Sequence, residues 1–310
     1  MFDSLGSLFI IASMGVCFKL IRPGNIGPDT AVNVINTSVI NFFFPALCFK
    51  VISTADIDKS ILLLPLSATI TILLSLLISF VTYAVIGKLT ILSKGEKGVL
   101  ILTSSFGNVT FLGLLLLTDL YGKNAAEYVL IYDLFAVTPL VWLVGTAIAS
   151  YYGSGEKPTT KKILKPVLKL PPVWALFSGF LANFSGLRLP SFLTKTLELM
   201  SMPIVPLMIF SIGLTLTVPK LKYLTISIPA IVTKLFLAPL ITFGVALLLD
   251  INGIVLKSTV MEAAMPTMIL TLTISSQYKL DNNLNTFVIL FSTVISLITL
   301  PTTAWLIQGY

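Results

Sequence analysis

Histidine is absent from the 310 residues, cysteine occurs twice, and only 11% of side chains are charged. Each shortage excludes something. Without imidazole there is no His-containing metal site, no imidazole base and no Ser/His triad, so proton chemistry falls to carboxylates, lysine and tyrosine. Cys17 and Cys48 both lie in apolar runs and read as packing residues, with no disulfide framework implied. So little charge, beside 56% hydrophobic residues and a mean hydropathy of +0.99, takes the chain out of the soluble class. The composition is that of an all-α polytopic membrane protein. No cofactor and no metal are expected. The net charge of +7 is no nucleic-acid footprint, because the lysines cluster in short loops, where they orient a membrane protein. The opening MFDSLGSLFIIASMGVCF lacks a basic n-region and carries Asp3, so it reads as a first span and not as a cleaved signal.

A helix rises 1.5 Å per residue and needs roughly 20 apolar residues to cross the bilayer. That rule gives ten spans, near 2–22, 31–53, 61–87, 98–121, 125–150, 171–187, 190–217, 223–249, 253–278 and 283–308. The loop 151–170, YYGSGEKPTTKKILKPVLKL, separates five spans from five. Alternate loops hold thirteen Lys and Arg on one side and six on the other. The positive-inside rule therefore places both termini outside and loop 151–170 in the cytoplasm of a cell-membrane protein. Five spans per half make the second half enter from the opposite side, which is an inverted-topology repeat. Two landmarks recur in register: Pro45 to Asn108 is 63 residues and Pro206 to Pro266 is 60.

The fourth span contains TSSFGNVTFLG at 103–113, polar where a lipid-facing helix carries Leu and Ile. The ninth contains Pro266. Gly107 and Asn108 tolerate non-helical backbone, and Pro266 removes an N–H and clashes with the preceding turn. Pro45 and Pro206 mark further helix breaks in spans 2 and 7. Beyond each main break a half-helix begins, its free amides near Val109 to Phe111 and Thr267 to Ile269 aimed at the crossing point. Two such ends facing one another make an anion site without any basic side chain.

Counting from the nearer span end brings Asn41, Asn108, Lys234, Asp133 and Glu262 to about the same depth, near 15 Å into a roughly 30 Å core. Charged groups at that depth default to a functional or paired reading. Two readings stand for Lys234 and Glu262: a buried ion pair between spans 8 and 9, or a coupling carboxylate with a switchable partner. Two also stand for Asp133: hydrogen bonds to Tyr132, Thr138 or freed backbone, or a carboxylate lining the substrate cavity.

These residues carry a resemblance to the auxin efflux carrier family, which includes plant PIN-FORMED carriers and prokaryotic malate or malonate permeases. FGNVTFLGLLLL at 106–117 resembles the family's first crossover, AAMPTMILTLTISSQY at 263–278 its second, and INTSVINFFFPALCFKVIS at 35–53 its span 2. The resemblance implies ten helices in two inverted repeats, related to the bile-acid sodium symporter fold. It implies scaffold parts at 1–60 and 171–219, transport-domain parts at 61–150 and 220–310, an elevator-like motion, and a homodimer through the scaffold. Carried over, Asn108 contacts a substrate carboxylate, Val109, Pro266 and Thr267 complete the crossover, and Asp133 lines the pocket; Thr110, from the polar stretch of span 4, and Asn41, at the same depth in span 2, are further substrate-binding candidates. The chain departs from the family pattern in three places. Gly107 stands where the family often has Pro, and Glu262 is followed by AAMPT, which lacks the Gln and Asn of a sodium site. The loop at 151–170 is also shorter than that of plant carriers.

The expected function is secondary transport of a small organic anion, by uniport or coupled to protons through Glu262 or Asp133, with sodium coupling as the alternative. An intramembrane enzyme is disfavoured by the missing histidine and the lack of a GxSxG-like or GxGD-like stretch. A channel is the third reading.

Overall fold

The computed structural model describes residues 2–55, 59–153, 170–187, 189–216 and 221–310. Among the described residues the apolar segments are helical, with two interruptions. In chain order they are α1 (Phe2–Ile21), α2 (Pro28–Ser53), α3 (Lys59–Leu89), α4 (Lys94–Ser105), α5 (Val109–Tyr121), α6 (Ala125–Tyr152), α7 (Pro171–Phe184) and α8 (Ser191–Thr215). α9 (Leu224–Leu248), α10 (Gly253–Ala263), α11 (Leu270–Gln277) and α12 (Asn282–Leu306) follow. Six of these, α2, α3, α6, α8, α9 and α12, are long and apolar enough to cross a membrane unaided. The lysines of the central loop, Arg188 and Lys220 lie outside the described residues.

Local chemistry sets several boundaries. Ser93 and Glu96 form a reciprocal capping box that starts α4, with Ser93 Oγ accepting from the Glu96 amide at 3.2 Å and Glu96 Oε2 from the Ser93 amide at 2.8 Å. Asp281 caps α12 by accepting from the Leu284 amide at 2.9 Å. Prolines explain three of the four wider turns among the described residues; the fourth, Val141–Gly145, has no proline beyond it in its helix. Val39–Phe43, Asp133–Val137 and Thr233–Leu237 are π-turns, each ending two residues before Pro45, Pro139 or Pro239. A proline offers no N–H to the carbonyl four residues back, here Asn41, Phe135 and Leu235, and the helix widens around the unpaired group.

Pro45 therefore does not break its helix, because the π-turn absorbs the lost bond and α2 runs on to Ser53. Pro206 does not break α8 either. The shallow turn falls at Met202–Pro203, and Pro206 sits in the first turn of the following stretch, where its missing N–H has no partner to lose.

α1, α2, α7 and α8 pack on one another. α1 and α8 meet at backbone distance, since a Cβ on Gly213 would lie 2.0 Å from the Ala12 carbonyl oxygen. Ser211 on α8 donates to Asn36 on α2 at 2.9 Å. α3 packs against α4, α6, α9 and α10, while α12 packs on α4, α9 and α11. The contact face of α3 carries Ser67, Thr71, Ser75 and Ser79 at every fourth position, all buried. Two of these reach across, Thr71 to Thr242 at 2.8 Å and Ser79 to Ser104 at 2.5 Å. The two groups of helices touch where α5 meets α1, α2 and α8 and where α6 meets α2 and α7.

Candidate functional site: a crossing of two interrupted helices

The chain leaves helical geometry at Phe106–Asn108 and again between Ala263 and Leu270. The two interruptions face each other. Gly107 and Thr267 form an antiparallel bridge, in which the Asn108 amide donates to the Pro266 carbonyl at 2.7 Å and the Met268 amide to the Phe106 carbonyl at 2.9 Å. Backbone groups freed by one break thus satisfy those freed by the other, as buried backbone must. Thr267 adds two bonds, its hydroxyl donating to the Thr103 carbonyl at 2.8 Å and its amide to Ser292 Oγ at 3.1 Å.

These bonds decide which half-helix end stays free. The amides of Thr267 and Met268 are spent on Ser292 and Phe106, so the α11 side offers less than its sequence suggests. Among the described residues no side-chain cap takes the first amides of α5. Asn108 precedes it with φ −80° and ψ 63°, and its side chain caps none of the α5 amides. The N-terminal end of α5 is thus the open, positive end at the crossing.

A basic side chain is present after all. Lys234, from the π-turn of α9, is buried and donates to the Ala263 carbonyl at 2.5 Å, at the last residue of α10. It also presses on Gly107, where a Cβ would lie 2.8 Å from Cε and 3.0 Å from Nζ. No ion pair joins Lys234 to Glu262. Both carboxylate oxygens of Glu262 are buried without a hydrogen-bond partner among the described residues, though the charges of Asp133 and Lys234 act on them. The Glu262 carboxylate occupies the space that a side chain would take at Gly113, where a Cβ would lie 2.4 and 2.8 Å from its two oxygens. Lys234, Glu262, Gly107, Val109, Ser105 and Tyr132 are among the residues that line a cavity of ≈ 10 Å³, room for about one water.

Asp133 lies beside this cavity rather than in its wall, and its oxygens accept from Thr110 and, at 3.0 Å, from Thr138. Of the two readings open for it, the hydroxyl-bonded one describes this geometry. Asn41 is not brought to the crossing. It is exposed on α2, and its side chain returns to the Thr37 carbonyl of its own helix at 2.8 Å. Equal depth did not make it a neighbour, because depth leaves the direction around the helix axis open. Gly113, Thr103 and Ser292 were missed as site residues. The signal for Ser292 was legible in the buried polar face of Asn285, Ser292, Ser296 and Thr299 along α12.

A helical membrane chain whose polar groups converge on two interrupted helices has the build expected of a transporter. Residues 2–304 match the model of the membrane transport protein family. The chain belongs to that family, which is the auxin efflux carrier family its crossovers resemble. It is similar to an uncharacterized transporter of Methanocaldococcus jannaschii, 30% identical over 88% of this chain and 89% of that one. An uncharacterized transporter of Methanothermobacter thermautotrophicus is 28% identical over 96% of each chain. A protein of Rhizobium meliloti proposed to be a malonate transporter is 25% identical over 91% of this chain and 89% of its own.

Proposed function

We propose that the chain is a secondary transporter of a small organic anion of the carboxylate class, bound at the crossing of the interrupted helices. One observation carries the reading: the uncapped N-terminal end of α5 and the buried Lys234 ammonium converge on the same cavity. Both favour an anion, and Asn108 adds an amide with no bond to its own helix. The likeness to a proposed malonate transporter supports dicarboxylates as the first compounds to try.

In this reading the ten apolar segments span the membrane as two inverted repeats, with both termini outside and the central loop cytoplasmic. α1, α2, α7 and α8 form a scaffold, on which a homodimer would assemble. The remaining helices carry the crossing as one body in an elevator-like movement. The packing of the two helix groups supports that division. Coupling to protons falls to Glu262 or Asp133. Glu262 is the better placed, because an unpartnered buried carboxylate is a costly charge that a proton removes. Uniport is the outcome if neither carboxylate takes one up.

The test is counterflow in proteoliposomes with labelled malonate, malate and an aromatic acid. Saturable exchange with at least one of them supports the carrier. Conductance of many ions per opening, or no anion exchange at all, overturns it.

A further inference from the structure

Broken helices leave two kinds of ends at mid-membrane. Their N-terminal ends suit anions, and their C-terminal carbonyls, with unwound backbone, suit a sodium ion or a proton. Here both C-terminal ends are already occupied by the protein. At the end of α4, the Thr267 hydroxyl takes the Thr103 carbonyl and the Met268 amide takes the Phe106 carbonyl. At the end of α10, the Lys234 ammonium takes the Ala263 carbonyl at 2.5 Å.

We infer that the Lys234 ammonium is a tethered cation standing where a coupling metal ion would bind at the C-terminal end of α10, so that transport needs no sodium. Three features place it there. The π-turn before Pro239 includes Lys234 and redirects the side chain inward from α9. Gly107 gives the stem passage, since any side chain there would collide with Cε. The same point lies 3.2 Å from the Met265 carbonyl oxygen, so the unwound stretch between α10 and α11 passes beside Gly107 as well. A fixed positive charge against the negative end of a half-helix does the electrostatic work of an ion without requiring one from solution. The inference goes beyond the proposed transport and rests on its site, but not on the identity of the anion.

The test therefore uses a readout that needs no substrate, the melting midpoint of the detergent-purified protein in sodium, potassium, choline and methylammonium chloride. The wild-type midpoint is expected to be the same in sodium and potassium. Lys234→Ala is expected to melt lower and to recover by roughly 2–4 °C in methylammonium, the response of a vacated site to a small cation. Lys234→Met, which keeps most of the stem, is expected to melt lower without that recovery. A sodium-specific rise in the wild type overturns the inference, as does a Lys234→Ala protein whose midpoint methylammonium leaves unchanged. If neither variant folds, the wild-type comparison decides alone. Malonate counterflow in sodium-free and sodium-containing vesicles separates the failures: absent exchange counts against the transport reading, and exchange that requires sodium counts against the tethered cation.

Discussion

Asn108 and Gly113 sit five residues apart on the same interrupted span and are expected to fail in different ways when replaced. The Asn108 amide caps nothing in α5, so Asn108→Ala should leave the ligand-free melting midpoint near wild type while weakening substrate binding about tenfold, or ~1.4 kcal/mol. Calorimetric titration checks it, and an unchanged affinity in a folded protein removes Asn108 from the site. Gly113→Ala meets the Glu262 carboxylate directly and should cost about 1–3 kcal/mol of stability through overpacking. Glu262→Ala should relieve most of that, so a double-mutant cycle read by thermal melting should show strong coupling. Additive losses would mean that the carboxylate does not rest on Gly113. Proton carriage has its own test: counterflow measured across pH should lose its pH dependence in Glu262→Gln, in Asp133→Asn or in both. If both variants keep the wild-type profile, neither carboxylate carries the proton. At this scale the sequence was a partial guide. Depth counting brought Asp133, Lys234 and Glu262 into one region correctly, because charge in hydrocarbon must face inward. It could not exclude Asn41, whose helix turns it outward.

Prolines show what the sequence reveals of an element and what it conceals. Pro266 in span 9, and Gly107 with Asn108 inside the polar stretch of span 4, announced the two breaks. That Pro45 and Pro239 would be absorbed as π-turns was not legible, because the same missing N–H can kink, break or widen a helix depending on what packs beside it. Nor was it legible that Thr267 would spend its amide on Ser292, a partner 25 residues away. The π-turn of α9 is expected to matter more than that of α2. Restoring the N–H in Pro239→Ala gives the Leu235 carbonyl a helical partner and allows the turn to tighten. Removing that extra residue would rotate Lys234 by about 100° away from the crossing. Counterflow should fall severely in Pro239→Ala and stay near wild type in Pro45→Ala, whose π-turn holds the outward-facing Asn41 and no residue of the crossing. Equal effects of the two substitutions would show that the π-turn does not position Lys234.

The proposed movement of one helix group against the other would be a property of the whole molecule, and two of the contacts between the groups are aromatic. Phe111 on α5 lies 6.0 Å from Phe44 on α2, and Phe135 on α6 lies 5.8 Å from Phe180 on α7, centroid to centroid. Such contacts slide without breaking hydrogen bonds, which suits two bodies that shift past each other. By contrast, the Thr71–Thr242 hydrogen bond joins α3 and α9 inside one body. In a background free of Cys17 and Cys48, a short thiol cross-linker between Phe135→Cys and Phe180→Cys should abolish counterflow and leave substrate binding measurable. The same reagent between Thr71→Cys and Thr242→Cys should leave exchange largely intact. If the first cross-link permits full exchange, the two groups do not move relative to each other and access to the crossing must alternate by local rearrangement. If the second blocks exchange as fully as the first, the body carrying the crossing must itself deform during transport. Only the stated pair of results identifies the α2–α5 and α6–α7 surfaces as the plane along which the crossing travels.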